Sequence, residues 1–153
     1  MLKRVHPIAG AVAVVMIAVF WSATVLAELF GSTATVVMVK QAIPWGFLIL
    51  VPALAIAGAS GLRLGRNRAD ARVRSKQRRM PLIAANGIII LVPAALTLSM
   101  LAGRGDFGTI FYAVQVIELI AGAINLTLMA FMMRDGLSLS GRLRRRVRAP
   151  LDA

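Results

Sequence analysis

The chain contains no cysteine and a single histidine among its 153 residues. The absence of cysteine excludes disulfides, thiolate catalysis, iron–sulfur clusters and cysteine-ligated zinc. One histidine leaves no histidine pair for a metal site within one chain. Acidic residues are also scarce, with six Asp and Glu against 18 Lys and Arg, so the net charge is +12. Enzyme classes that depend on these side chains are therefore disfavoured from the outset.

Apolar residues, by contrast, are abundant. Hydrophobic residues make up 59% of the chain and charged residues 16%, and the mean hydropathy is +0.80. An ordinary soluble domain is nearer half apolar and a quarter charged. In water such a chain would expose more apolar surface than a small monomer tolerates. The composition excludes a soluble enzyme and a disordered chain, and the length allows one compact domain.

Four apolar runs are long enough to cross a bilayer, at residues 8–30, 41–62, 81–102 and 107–133. A helix of about 22 residues is roughly 33 Å long, which matches a hydrocarbon core of about 30 Å. The runs lack the alternation of barrel strands. The sequence therefore predicts an all-α membrane protein, a bundle of four transmembrane helices.

The basic residues lie almost entirely on one side of this topology. The N-terminus, the loop 63–80 and the tail 134–153 hold all Lys and Arg residues except Lys40 and Arg104. Basic segments stay in the cytoplasm. We therefore expect both termini and the middle loop to be cytoplasmic, with the protein in the cell inner (plasma) membrane. The basic tail is expected to be disordered.

The first helix has an alternative interpretation. Lys3 and Arg4, the apolar run and the small-residue end at Ala27 also fit a cleavable signal peptide. The length of the run, together with Trp21 and Glu28, favours a retained helix.

The links 31–40 and 103–106 on the opposite side are short, which indicates antiparallel neighbouring helices. Pro52 and Pro93 lie near the middle of the second and third helices. Each removes a backbone hydrogen bond, so each predicts a local kink.

Polar residues within the runs recur at steps of three and four, which places them on one face of each helix. In the fourth helix this face consists of Phe111, Gln115, Glu118, Gly122, Asn125, Met129 and Met132. In the third it consists of Asn86, Ile90, Pro93, Thr97 and Met100. In the first it consists of His6, Gly10, Ala13, Ile17, Thr24 and Glu28. We expect these faces to turn inward in the bundle.

Glu118 is the central candidate, because it lies about 16 Å into its helix, near the bilayer centre. A lone carboxylate is costly there, so it should be protonated, hydrogen-bonded or paired. Gln115 and Tyr112 are candidate partners, and Asn125 and Asn86 complete the expected ligand- or proton-binding set. The alternative is a neutral carboxyl that only holds helices together.

Glu28, Lys40 and Gln41 flank the first link and are assigned to the outer interface. Long charged side chains there commonly snorkel, and Glu28 and Lys40 would add little stability as an exposed ion pair. The three residues alternatively form an outer vestibule.

No cofactor is expected, but one alternative involves haem. His6 with Met129 or Met132 on another helix is a residue combination that ligates haem b in electron carriers. A second histidine would have to come from another protomer. The structural interpretation is that His6 lies at the start of a helix, followed by Pro7 at the first helical position, and that the methionines are ordinary packing residues.

The basic segments 63–79 and 142–148 lack interleaved aromatic residues. They are expected to bind anionic lipid headgroups. Nucleic acid is not expected as a partner, whereas a homodimer or a larger membrane complex is compatible with the sequence.

Residues 26–33, Leu-Ala-Glu-Leu-Phe-Gly-Ser-Thr, resemble the first-helix segment of small multidrug resistance transporters. In that four-helix family the glutamate couples protons to cationic drugs, which would give Glu28 this role. The resemblance covers eight residues. The apolar run before Glu28 and the long basic middle loop depart from that family, so no family is assigned.

Three functions remain. The first is a non-enzymatic membrane protein that binds a small ligand or proton near Glu118, in transport or as an accessory to a complex. The second is the haem carrier centred on His6, and the third is a structural or assembly subunit without a site. An enzyme is least favoured, because Glu118 has no base or nucleophile at a fitting depth.

Overall fold

The computed structural model describes residues 2–65 and 80–139, and these residues form four long helices. They are α1 (Leu2–Phe30), α2 (Thr33–Gly65), α3 (Met80–Gly103) and α4 (Thr109–Leu139). Each helix is long and apolar enough to span a membrane, with mean hydropathy between 1.9 and 2.3 in its span. The prediction of an all-α protein with four candidate membrane spans is confirmed. The basic segments 66–79 and 142–148 lie outside the described residues.

The helices pack in a ring. α1 contacts α2 and α4, and α3 contacts the same two helices. Within the described residues, the diagonal pairs α1 with α3 and α2 with α4 do not approach through their backbones. The arrangement is an up-down-up-down bundle in which sequence neighbours are also spatial neighbours.

The connection from α1 to α2 consists of Gly31 and Ser32 alone. The Gly31 N–H donates to the carbonyl of Ala27 at 2.9 Å, which closes the last turn of α1. Ser32 Oγ accepts from the Thr35 N–H at 3.3 Å and caps α2. The cap starts α2 at Thr33, eight residues before the predicted boundary, and thus places Lys40 within the helix.

The connection from α3 to α4 is equally tight. Gly105 has a φ of +70°, a left-handed conformation that suits glycine. The Asp106 N–H donates to the Leu101 carbonyl at 2.9 Å and the Gly105 N–H to the Ala102 carbonyl at 3.0 Å, which is a Schellman motif. We call the end of the bundle that carries both connections the short-loop end.

A π-helical turn interrupts α3 between Asn86 and Leu91. Pro93 follows two residues after the turn, and the wider turn relieves the clash that a proline ring makes with the carbonyl four residues earlier. A π turn also holds about one residue more than an α turn, so every later residue is rotated around the helix. The sequence predicts a local kink at Pro93, and the structure has a π-helical turn just before this residue.

This rotation corrects the predicted inner face of α3. Asn86 points inward as expected, but Ile90, Pro93 and Met100 are exposed and Thr97 is half-buried. The buried residues after the turn are Ala94, Ala95, Leu98 and Ala102, and Leu91 lines a cavity between the helices. A constant helical period cannot anticipate this shift, because one extra residue in the turn moves the face by about 100°.

Two apolar clusters fill the interior. The one nearer the short-loop end contains Ala27, Val36, Leu98, Ala102 and Phe111. The other contains Ala13, Ile17, Leu50, Ala53, Ile83 and Met129. In α1, α2 and α4, the residues between these two levels include Thr24, Lys40 and Glu118.

Replacing Gly46 by valine should destabilise the bundle. Gly46 in α2 lies against the ring of Phe20 in α1, and a Cβ atom at this position would overlap the ring. Overpacking of this kind costs roughly 1–3 kcal/mol. The measurement is the free energy of unfolding in detergent micelles. Gly10→Ala is the control, since no atom lies within 4 Å of the added methyl group, and this variant should be neutral or slightly more stable.

Candidate functional site

The side chain of Lys40 is completely buried in the bundle. Its Nζ lies 2.5 Å from Oε2 of Glu118, whose side chain is 12% exposed. The ammonium also donates to Thr24 Oγ1 at 3.5 Å. Lysine is almost never fully buried without a partner. The carboxylate of Glu118 and the hydroxyl of Thr24 supply the oxygen atoms that the buried ammonium needs.

This ion pair crosses the bundle along a diagonal. Lys40 belongs to α2 and Glu118 to α4, and these helices do not approach through their backbones within the described residues. The long lysine stem spans the space between them. The Lys40–Glu118 pair therefore links two helices that are otherwise joined only through their neighbours.

Both residues of the pair lie within candidate membrane spans, Thr33–Arg63 and Thr109–Arg134. Lys40 follows the start of α2 by about 10 Å, and Glu118 follows the start of α4 by about 14 Å. An apolar cluster lies on each side of this level. Removal of two charges from water is costly, while the low dielectric strengthens their attraction, so neither charge is stable there without the other.

Two further side chains near this level carry buried polar atoms without a hydrogen-bond partner in the described part of the chain. Gln115 is 4% exposed, and neither its amide nitrogen nor its amide oxygen has a hydrogen bond within the described part of the chain. The buried Oε1 of Glu28 is likewise unpartnered in hydrogen bonding. Glu28 also attracts the Lys40 ammonium electrostatically. Buried polar atoms are nearly always satisfied, so these atoms indicate a position for water, an ion or a ligand.

A cavity lies on one side of the pair and a cleft on the other. The cavity has a volume of about 60 Å³, and Glu118, Thr24 and Trp21 are among its lining residues. Its remaining lining is apolar: Ile17, Phe20, Ile43, Phe47, Leu50, Leu91, Ala95, Leu119 and Gly122. The cleft has a volume of about 210 Å³ and lies at the short-loop end, lined by Ala27, Glu28, Gly31, Thr33, Val36, Phe107 and Tyr112. The ion pair thus lies between a mostly apolar cavity and a more polar cleft.

Asn86 and Asn125 occupy a different part of the interior. Asn86 Nδ2 donates to Asn125 Oδ1 and to the carbonyl of Ala121, both at 2.9 Å. These bonds join α3 to α4 next to the π turn. Both residues belonged to the predicted ligand set, and the structure pairs them with each other.

Trp21 adds a polar link between α1 and α4. Its indole N–H donates to the Leu119 carbonyl at 3.0 Å, one residue beyond Glu118. Gly122 makes room for the indole ring, since a Cβ atom there would lie 2.9 Å from Trp21 Cδ1. Trp21 therefore fixes α1 against α4, the helix that carries Glu118.

The inner face predicted for α4 agrees with the observed burial. Phe111, Gln115, Gly122, Asn125 and Met129 are buried. The partner of Glu118 differs from expectation, because the predicted candidates were Gln115 and Tyr112. Tyr112 is half exposed and lines the cleft.

Lys40 departs furthest from the sequence-based interpretation, which placed it at the outer interface with Glu28 and Gln41. Gln41 is indeed exposed, and Glu28 is partly buried at the cleft. Lys40 turns inward because α2 begins early and Glu118 compensates its charge. One signal in the sequence pointed to this pairing: each of the second and fourth helices carries a single internal charge, and the two are of opposite sign.

His6 lies at the opposite end of the bundle. Its Nδ1 is 3.0 Å from Ser60 Oγ and 3.1 Å from the Ala57 carbonyl, both in α2. Met129 belongs to an apolar cluster, and Met132 packs against it. These contacts do not test the haem alternative, which stays a prediction. Across residues 2–65 and 80–139, no three His, Asp or Glu side chains group in a way that could hold a metal ion.

The stability of the pair can be tested with Lys40→Met and Glu118→Gln. Each single variant leaves a buried group without its partner, and we expect a loss of roughly 3 kcal/mol, typical of a broken buried pair. The double variant should regain most of this loss, because no charge is then stranded. The measurement is a double-mutant cycle of unfolding free energies in detergent micelles. Strictly additive losses would contradict a direct interaction.

Comparisons with protein-family models, with curated proteins and with solved structures found no match. The function is therefore inferred from the geometry and chemistry of the described residues.

Proposed function

We propose that this chain is a non-enzymatic, multi-pass membrane protein in which the Lys40–Glu118 pair exchanges a proton during the binding and transport of a small molecule. The observation that carries the proposal is the buried ion pair across the bundle diagonal. Ionisable groups inside membrane spans most often mark ion, proton or substrate pathways.

The chemistry of the pair supports proton exchange. A proton that reaches Glu118 neutralises the carboxylate and removes the attraction that holds Lys40. The ammonium then retains only Thr24 Oγ1, at 3.5 Å, and the more distant charge of Glu28. Protonation therefore weakens the link between α2 and α4.

This coupling gives a bistable element. With Glu118 charged, the pair holds the diagonal helices together, and with Glu118 neutral it does not. A ligand that binds one of these states better shifts the proton equilibrium, and the proton shifts ligand affinity by the same factor. The cleft and the cavity on either side of the pair offer places where such a ligand would lie.

The proposed location is the cell inner membrane, with both termini in the cytoplasm. The supporting observation is the asymmetry of basic residues. Arg63 and Arg134 lie toward the end of the bundle opposite the short loops, while Arg104 lies at the short-loop end. The cleft then faces the outer side of the membrane.

Infrared difference spectroscopy should detect the proton on Glu118. Acidification of the detergent-purified protein should produce the carbonyl band of a protonated buried carboxyl group, and this band should be missing in Glu118→Gln. In Lys40→Met the band should already be present at neutral pH, because a buried carboxylate without a counter-charge is better accommodated as the neutral acid.

Asp106→Asn is the control for this experiment, because Asp106 is an exposed carboxyl in the α3–α4 connection. Its difference spectrum should keep the buried band. If Glu118→Gln and the wild type give the same spectrum, Glu118 does not exchange a proton, and the pair serves stability alone.

The orientation can be tested with single cysteines, since the chain has none of its own. In intact spheroplasts, a membrane-impermeant maleimide should label Arg104→Cys directly and Arg134→Cys only after permeabilisation. Both residues are exposed. The reverse pattern would overturn the orientation.

A further inference from the structure

Gln115 occupies the level between the cleft and the ion pair on α4. Tyr112 lines the cleft, Gln115 follows after three residues, and Glu118 follows after three more. Each step of three residues turns the side-chain direction by about 60°, so Gln115 points between the directions of Tyr112 and Glu118, which are about 120° apart. Of the five residues between Tyr112 and Glu118 in the sequence, only Gln115 has a polar side chain.

A second polar row runs along α1, which packs against α4. Glu28 lines the cleft, and Thr24, one turn away, lines the apolar cavity and accepts a hydrogen bond from Lys40. Both rows lead from the polar opening at the short-loop end to the ion pair. Ala27 and Phe111, at the same level, are buried in the apolar cluster and offer no polar atoms.

The unpartnered atoms lie on these two rows. The amide nitrogen and oxygen of Gln115, which is 4% exposed, make no hydrogen bond within the described residues, and neither does the buried Oε1 of Glu28. A primary amide donates and accepts at once. Water fits this combination best, since a single molecule can accept from the amide nitrogen and donate to the amide oxygen or to a carboxylate.

We infer that Gln115 holds internal water that connects Glu28 in the cleft to Glu118, and that this water delivers the proton. Glu28 takes a proton from a hydronium ion in the cleft, which is left as water. It passes this proton to the oxygen of the held water, which gives up another of its protons to Glu118. Glu28 is then again a carboxylate, the water is restored, and the net change is one proton on Glu118.

The titratable groups around this route are few. α1 contributes Glu28, α2 contributes Lys40, and α4 contributes Glu118 and the phenol of Tyr112 at the cleft, while the sequence of α3 from residue 80 to 103 contains no titratable side chain. Gln115 does not titrate and does not carry the proton, so it is a positioning residue. The inference rests on the proposed function in taking Glu118 as the group that receives the proton. The water at Gln115 can be observed independently of that function.

The kinetic test is a pH jump followed by time-resolved infrared spectroscopy of the Glu118 carboxyl band. Gln115→Leu should slow the appearance of the band about tenfold, the rate change that corresponds to one lost hydrogen bond to the transferring water. The final amplitude should equal that of the wild type. Glu28→Gln should slow the same step, because it removes the first proton acceptor.

Gln41→Leu is the matched control, since it makes the same replacement at an exposed position of α2. It should leave the rate unchanged. A wild-type rate in Gln115→Leu would overturn the inference while leaving the proposed function intact. A wild-type protein without any Glu118 band would overturn the proposed function.

A second measurement uses the wild-type protein, so it does not depend on whether a variant folds. The wild-type protein is labelled with ¹⁵N-glutamine and kept at neutral pH, where the Lys40–Glu118 pair is intact. Under these conditions the side-chain amide of Gln115 should show magnetisation exchange with water. An amide of Gln115 without any water contact would overturn the inference whatever Glu118 does.

Discussion

One ion pair sets the requirements for the rest of the structure. It joins an ammonium and a carboxylate across the axis of a bundle of four apolar helices. Neither Lys40 nor Glu118 is stable alone in an environment of low dielectric. Their pairing demands that α2 enter the bundle with Lys40 already in its second or third turn. It also demands that α4 turn its polar face toward the axis, as the burial of Gln115 and Asn125 confirms.

Close packing around the pair follows from residue size. Glycines lie where aromatic rings of the neighbouring helix need space, Gly46 against Phe20 and Gly122 against Trp21. In a membrane, where lipid is as apolar as the helices, such contacts and interhelical hydrogen bonds replace the hydrophobic effect as the source of helix association. The bond from Trp21 to the Leu119 carbonyl and the Asn86–Asn125 bond are of this kind.

The sequence predicted the four helices and the inner face of α4, because hydropathy and a regular period of 3.6 residues suffice for both. It failed at three points where local geometry departs from that regularity. The Ser32 cap lengthened α2, the π turn before Pro93 rotated the face of α3, and the pairing of Lys40 required knowledge of the opposite helix. Each is a tertiary or backbone effect that a single-helix pattern does not contain. The orientation in the membrane and the ligand stay predictions.

The two tight connections divide the bundle into two helical hairpins, which we call its halves. One half is α1 with α2, and the other is α3 with α4. Both the Lys40–Glu118 pair and the Trp21–Leu119 bond join these halves at one height, close to the short loops. Beyond Lys40, α2 continues for about 37 Å, against about 10 Å before it. A rotation of one half against the other about this fulcrum therefore moves the distant ends of the helices more than three times as far as the loops. A proton taken up by Glu118, as proposed, would thus produce its largest mechanical effect at the end of the bundle opposite the short loops.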